Sequence, residues 1–399
     1  MEKKNQVPKY PPLRFPEFTD EWKEVKLGEV LSFEVGYPFS SDAFNEEGNG
    51  VRLIKNRDLK ADDRVVFYGG EYDAQYIVQN GDILIGMDGD FSPCLWKKGK
   101  ALLNQRVGRV NANQNTSRVF ILYVLVDSLK KIEHKTSSTT VKHLSHKDVE
   151  KIKASLPSLA EQKKIAALLS LIDERIEVQN AIIKEREAQK AALLRRLFDR
   201  TLRFPEFTDE WKEVKLGEVA ERIKKRNTGH ITRVLTISAQ YGLVEQEDFF
   251  SKRVSSVDLS NYFLVEKGEF AYNKSYSRGY PWGTIKRLDQ YDSGVLSPLY
   301  IGFRLKDDGI DSDYLQQYFE GSQWHKKISL IAMEGARNHG LLNITIQDFF
   351  NLPLRLPSLP EQKKIAALLS AIDERLDVER AYAEQLRQQK AYLLRQMFI

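Results

Sequence analysis

From Leu156 to Phe198 apolar residues recur at alternating steps of four and three: Ile165, Leu169, Ile172 and Ile176, then Ile183, Leu193 and Leu197. The same rhythm returns as Ile365, Leu369, Ile372, Leu376, Ala383, Leu386, Leu393 and Met397. That spacing is the seam of a coiled coil. Polar residues interrupt it at Gln179, Arg186 and Lys190 in the first stretch and at Glu379 and Lys390 in the second. Ser158 with Glu161, and Ser358 with Glu361, fit a capping box, in which the serine oxygen accepts from a first-turn amide and the glutamate reaches back. Pro157 and Pro357 stand just before the caps, and Pro360 occupies the first turn, where its missing N–H costs little. A helix from Ser158 to Phe198 is roughly 60 Å long at about 1.5 Å per residue. A single apolar stripe of that length needs a partner, and the other copy is the obvious one; the alternative is two independent helices, each packed on its own domain.

Ahead of each stripe the pattern changes to short apolar runs punctuated by glycine turns, the mark of mixed α/β structure. Strands are expected at Gly50–Ile54, Tyr76–Val78, Asp82–Gly86 and Gln105–Val110, followed by a helix over Ser117–Ile132. In the second half, strands are expected at Arg233–Ser238, Gly268–Tyr272 and Leu299–Leu305, with a helix near Ser312–Leu330. The predicted fold is α/β (α+β): globular domains at 1–155 and 201–355, each followed by a long helix, at 156–200 and 356–399. The helices are expected to pair as an antiparallel coiled coil with pseudo-twofold symmetry, through Ile165, Leu169, Ile172 and Ile176 and through Ile365, Leu369, Ile372 and Leu376.

The halves are copies of one frame. Leu13 to Val30, LRFPEFTDEWKEVKLGEV, recurs unchanged at all 18 positions from Leu202 to Val219, an offset of 189. Leu156 to Val178 recurs at Leu356 to Val378 with 19 of 23 positions identical and an offset of 200. Between these blocks, residues 31–150 and 220–350 show almost no resemblance. Duplication followed by drift spreads differences along the whole chain; two different modules inserted into one frame give the abrupt change seen here.

Carried back through the offset of 200, Lys135-Thr136-Ser137-Ser138-Thr139-Thr140 falls opposite Gly335-Ala336-Arg337-Asn338-His339-Gly340. Taken alone these are ordinary solvated turns. Their matched placement and unlike chemistry suit contacts with phosphates and base edges. Lys142 extends the first loop. Further candidates are Arg52, Lys55, Asn56 and Arg57, and Asn104, Gln105 and Arg106. In the second half, Asn273, Lys274, Tyr276, Arg278 and Tyr280 crowd a glycine-containing loop: lysine and arginine hold phosphates, while arginine and asparagine read guanine and adenine through paired hydrogen bonds. The run Lys224, Lys225, Arg226 with Arg233 reads more simply as a solvated face.

A net charge of +5 over 399 residues permits nucleic-acid binding without demanding it. The single cysteine, Cys94, rules out a disulfide framework and agrees with a reducing cytoplasm. The polar, proline-bearing start Met1 to Pro12 has no signal core, and the longest apolar run, Val119–Val126, is far short of the roughly 20 residues of a membrane helix. A cytoplasmic location and no membrane partner are expected. There is no G-x-x-x-x-G-K-[ST] loop, no G-x-G-x-x-G fingerprint, and no Asp-Pro-Pro or Asn-Pro-Pro. His143 and His146 near His134 lack cysteine companions, so no metal site is expected. The chain is expected not to be an enzyme, and no cofactor is expected on it.

The doubled Pro-Ser-Leu-x-Glu-Gln-Lys-Lys-Ile-Ala-x-Leu-Leu-x-x-Ile-Asp, with Trp22–Gly28 repeated at Trp211–Gly217, resembles the specificity subunits of type I restriction-modification systems. The resemblance covers essentially the whole chain. It implies two target recognition domains that each read one half of a bipartite site in double-stranded DNA, with the helices as a ruler for the gap. It also implies two modification (methyltransferase) subunits that use S-adenosylmethionine on adenine, and two restriction (translocase/nuclease) subunits that use ATP and Mg. Two unlike modules imply an asymmetric target. No contact residue is fixed by a family motif. The rival reading is a protein-binding scaffold on a coiled-coil spacer; an enzyme with an unrecognised site is the other.

Overall fold

The computed structural model describes residues 10–135, 143–229, 231–239, 241–249, 258–276, 279–306, 309–332 and 342–399. The chain divides into two compact units, Met1–Gln179 with Tyr382–Ile399, and Asn180–Ala381. The long helices run Leu159–Phe198 and Leu359–Gln396. Each unit therefore holds one globular module, the start of one long helix and the end of the other. Among the described residues no helix is long and apolar enough to cross a membrane.

In the first unit a four-stranded antiparallel sheet has the order Leu31–Val35, Val107–Ala112, Ile83–Gly86, Pro93–Leu95. Ile83, Leu84 and Ile85 are all fully buried, so this strand is covered on both faces and reads as a continuous apolar run. A five-stranded sheet follows, built from Phe44–Asn45, Val66–Tyr68, Val51–Ile54, Ala101–Leu103 and Ile77–Val78. The helix Arg118–Lys135 contributes Phe120, Ile121, Leu125 and Leu129 to the core. The first frame block supplies the strand Lys23–Lys26, which pairs antiparallel with Lys153–Leu156, so the chain enters and leaves the module side by side. The tail of the second long helix completes the same core: Phe398 stacks on Phe120 at 5.0 Å and meets the edge of Trp22 at 6.4 Å.

The second unit repeats this plan. Its four-stranded sheet has the order Ala220–Arg222, Ile301–Leu305, Phe270–Asn273, Thr284–Arg287. Lys212–Lys215 pairs with Pro353–Leu356, and Phe198 packs against Tyr314 and Tyr318, each at 5.4 Å. The five-stranded sheet is replaced by two separate ladders, Leu235–Ser238 with Gly242–Glu245 and Phe263–Glu266 with Ser293–Leu296. The single helix expected near Ser312–Leu330 is two helices, Ser312–Glu320 and His325–Ala332. The break falls at Gly321, whose backbone is extended. It lets Trp324 turn inward, where its indole is 1% exposed and donates to the Phe319 carbonyl at 3.1 Å.

In the second unit the two helix segments run antiparallel, since Glu187 pairs with Arg380 and, further along, Lys190 pairs with Asp373; in the first, Asp173 pairs with Lys390. Ile165, Leu169, Ile365, Leu369, Leu376, Ala383 and Leu386 are buried along the seam as the spacing predicts. Ile176, Ile183 and Ile372 are half-buried, and near the end of the first helix Leu194 is buried in place of Leu193. A straight helix turns once per 3.6 residues while the pattern repeats at 3.5, so the buried stripe drifts and here ends on the module core.

The expected capping boxes do not close, because both glutamates are engaged by arginines. Ser158 Oγ does accept from the Glu161 N–H at 3.4 Å, but the Glu161 side chain does not reach back. It accepts from Arg14 Nε at 2.7 Å and Nη2 at 2.8 Å, and from Trp22 Nε1 at 3.4 Å. Glu361 does the same with Arg203 and Trp211. The neighbouring glutamines hold the other side of each module. Gln162 Oε1 accepts from Ser117 N and Gln362 Oε1 from Asp311 N, both at 2.9 Å, at the starts of Arg118–Lys135 and Ser312–Glu320.

Candidate nucleic-acid interface

The two modules share a local plan that their sequences hide. Ile83–Gly86 and Phe270–Asn273 each follow a glycine–acid turn, Gly81-Asp82 and Gly268-Glu269, with both glycines at positive φ. In each, the acid carbonyl accepts a 2.8 Å hydrogen bond, from Trp96 N–H in one and Leu288 N–H in the other. The acid side chain accepts from the residue three positions earlier, Gln79 N at 2.9 Å and Glu266 N at 2.7 Å. Past each strand the chain returns to the adjacent strand, through the turn Met87–Ser92 in one module and by way of the described segments Lys274–Tyr276 and Gly279–Gly283 in the other. The first residue past each strand receives the chain returning toward the frame: Leu144 N donates to Met87 O at 2.8 Å, and Leu342 N to Lys274 O at 2.9 Å.

In the first module the turn gathers the candidate segments around Asp88. Asn56 Nδ2 donates to the Asp88 carbonyl at 2.6 Å. The Asp88 carboxylate accepts from His143 Nδ1 at 2.9 Å and Arg106 Nη1 at 3.4 Å, and a backbone bridge joins Asp88 to His143. Arg106 is 56% exposed and His143 50%. A Cβ on Gly86 would stand 1.8 Å from Asn56 Oδ1, so the contact requires glycine there. Lys60 pairs with Asp90, which with the Ser92 hydroxyl holds that carboxyl down to about 2. Arg57 is exposed and donates to the Arg64 carbonyl, Lys55 lies 5.0 Å from the Phe44 ring, and Gln105 is exposed beside Asn104, whose Oδ1 accepts from Gln105 N. Arg52 differs. Its side chain is 13% exposed, pairs with Asp62 at 2.5 Å and covers Trp96 at 5.0 Å, so it braces the module interior.

In the second module Asn273 Oδ1 accepts from Ser275 N at 2.9 Å, and Lys274 Nζ donates to the Ile344 carbonyl at 3.4 Å. Burial pushes the Lys274 ammonium down from its usual range. Tyr276 and Tyr280 are exposed. Gly283 closes the turn at φ +78°, and a Cβ there would stand 2.1 Å from the Asn273 carbonyl oxygen. Ser137, Ser138, Thr139, Thr140, Lys142, Arg278, Arg337, Asn338 and His339 lie outside the described residues, as does the side chain of Lys135. The basic run is largely engaged within its own surface: Lys225 pairs with Glu266, Arg226 donates to Asn261, and Arg233 pairs with Glu245.

The turn Met87–Ser92 and His143 were missed as contact candidates. The sequence carries the signal: aligning Gly81-Asp82 with Gly268-Glu269 puts Met87-Asp88 opposite Lys274-Ser275, of which Lys274 is a candidate. These surfaces offer paired and exposed cations, amides and aromatic rings on loops held by a rigid sheet, the inventory for phosphates and base edges.

Residues 19–188 and 208–388, one stretch through each module, match the family of the type I restriction modification DNA specificity domain. The chain belongs to this family and carries two such DNA specificity domains. It is 34% identical over 330 residues to the type I restriction enzyme EcoBI specificity subunit of Escherichia coli, covering 79% of this chain and 61% of that protein. The chain thus spans less than two thirds of that relative's length. It is 23% identical over 419 residues to the type I restriction enzyme MjaVIII specificity subunit of Methanocaldococcus jannaschii, covering 96% of this chain and 92% of that one. In three dimensions it has the fold of a type I restriction-modification system S subunit from M. genitalium, with a TM-score of 0.61 at 15% identity, covering 98% of this chain and 99% of that structure.

Proposed function

We propose that this chain reads an asymmetric bipartite site in double-stranded DNA, one half per module, with the gap set by the paired long helices. It directs two modification subunits to methylate adenine and two restriction subunits to cleave, with S-adenosylmethionine, ATP and Mg used by those partners. The observation that carries this reading is a common support with unlike surfaces: the same sheet and glycine–acid turn present Asp88, Arg106 and His143 in one module and Lys274, Tyr276 and Tyr280 in the other. Loops on a rigid scaffold can change what they contact without disturbing what holds them. The domain boundaries at 155, 200 and 355 and the candidate contact residues belong to the same proposal, Arg52 excepted.

The test is to express the chain with its modification subunits and sequence the methylated adenines. One motif with two unlike halves and a fixed gap is expected. A protein scaffold would instead give no such motif, and its DNA affinity would not fall with salt as phosphate neutralisation requires.

A further inference from the structure

Each long helix carries one lysine on its apolar seam, and each lysine meets an aspartate from the other helix. In the second unit, Lys190 Nζ donates to both carboxylate oxygens of Asp373, at 2.6 and 2.7 Å. Gln317, on the module helix Ser312–Glu320, donates to the same carboxylate at 2.7 Å. In the first unit, Lys390 Nζ pairs with Asp173 at 2.5 Å and stands 5.3 Å from the Tyr123 ring. Tyr123, on the module helix Arg118–Lys135, donates its hydroxyl to Asp173 at 2.8 Å. Both lysines are sheltered, with side chains 13% and 25% exposed. In each unit one carboxylate thus ties together its own long helix, the opposing long helix and the module.

The apolar seam cannot do this alone. Leucine and isoleucine at alternating steps of three and four look alike after a slide of seven residues, so apolar contacts set the facing of the helices and leave their axial alignment degenerate. A polar layer removes the degeneracy, because a slide parts each sheltered lysine from the one carboxylate that compensates it. We propose that Asp173–Lys390 and Asp373–Lys190 are register-specifying positioning pairs: each permits one alignment of the helices in its unit, and together they fix the gap of the DNA target. The second clause rests on the bipartite reading of function; the first does not.

The experiment uses the full chain in a Cys94→Ser background, with spin labels on cysteines at the exposed Lys184 and Asp377. The parent shows one narrow distance between them. Replacing Asp173, Lys190, Asp373 and Lys390 together by leucine is expected to broaden or split that distance. With its partner subunits the same variant is expected to methylate sites with more than one gap while both half-sites stay the same. Exchanging the charges, Asp173→Lys with Lys390→Asp and Asp373→Lys with Lys190→Asp, is expected to restore one distance and one gap. A narrow distance in the leucine variant, or a broad one after the exchange, overturns the register pairs. A broadened distance with one unchanged gap overturns their part in spacing. If the parent methylates no two-part site at all, the functional reading fails while the distance measurement still decides the register.

Discussion

Arg14 grips the Glu161 carboxylate with two parallel hydrogen bonds, at 2.7 and 2.8 Å, across 147 residues of sequence. The carboxylate is 1% exposed, so its partner cannot be replaced by bulk water. The contact joins the first frame block to the start of the long helix and closes the loop of chain that forms the module. Removing one partner of a buried pair leaves an uncompensated charge, and Arg14→Ala is expected to destabilise the chain by about 3 kcal/mol. Urea unfolding followed by tryptophan fluorescence measures it; an unchanged midpoint would show that Trp22 and water suffice for Glu161.

Asp88 holds Arg106 and His143 while accepting nothing from the frame, so Asp88→Asn is expected to loosen one reading surface only. Discrimination at the first half-site should drop by about 1–3 kcal/mol, the worth of a well-placed base contact, with the second half-site unaffected. Competition binding with mismatches in each half separates the two. Arg106→Ala makes a companion test: equal loss on every sequence marks the arginine as a phosphate contact.

Gly283→Ala places a Cβ 2.1 Å from a backbone oxygen at a φ that side chains disfavour. The turn carrying Tyr276 and Tyr280 must shift, at a cost of about 1–3 kcal/mol. Recognition of the second half-site is expected to fail while the first is still read, as measured by the methylated motif. Loss of both halves would mean that the turn supports more than its own module.

The Asp90 carboxyl is held down to about 2 because Lys60 and then Ser92 favour its charged form. A carboxyl depressed on folding adds stability above its unfolded value, and that stability is lost as the pH falls through the folded one. The stability difference between the parent and Asp90→Asn should therefore be constant near neutrality and vanish as the pH falls from about 4 to about 2. Solvent screening at this exposed pair keeps the difference small. A difference that persists at the acid end would assign it to something other than ionisation.

Insertion of residues into the first long helix beside Gln179 is expected to change the preferred gap between half-sites. Each added residue lengthens a helix by about 1.5 Å. Sequencing the methylated sites of the insertion variant checks this, and an unaltered gap would remove the helices from the measurement of distance.

The frame was legible because it repeats and because amphipathic spacing is a strong signal. The positions of Ile165, Leu169, Ile365 and Leu369 follow from periodicity alone, and the polar interruptions at Lys190 and Lys390 stand where charged partners meet. Glu161 was misread because a local capping rule competes with a partner 147 residues away, and distance along the chain is invisible to a local rule. Arg52 looked like a reader because a strand end followed by cations suggests one; its burial against Trp96 depends on the packing of two separate segments. The helix expected near Ser312–Leu330 broke where a single large indole had to be buried. The kinship of Met87–Ser92 with the segment that begins at Lys274 rests on two short Gly-acid pairs, too brief to stand out without the matching strand order.

Gln162 and Gln362 accept from a backbone N–H at the start of a module helix, and beside them Glu161 and Glu361 accept from the arginine that precedes the module. Neither glutamine contact depends on which side chain occupies the helix start, since serine serves at 117 and aspartate at 311. The frame therefore works as a socket with a fixed pin layout. The arginine and the glutamate both belong to the frame, so an insert needs only to bring one backbone amide to the waiting glutamine. Inserts of unlike sequence are thereby seated on one set of contacts, with every residue of the socket untouched.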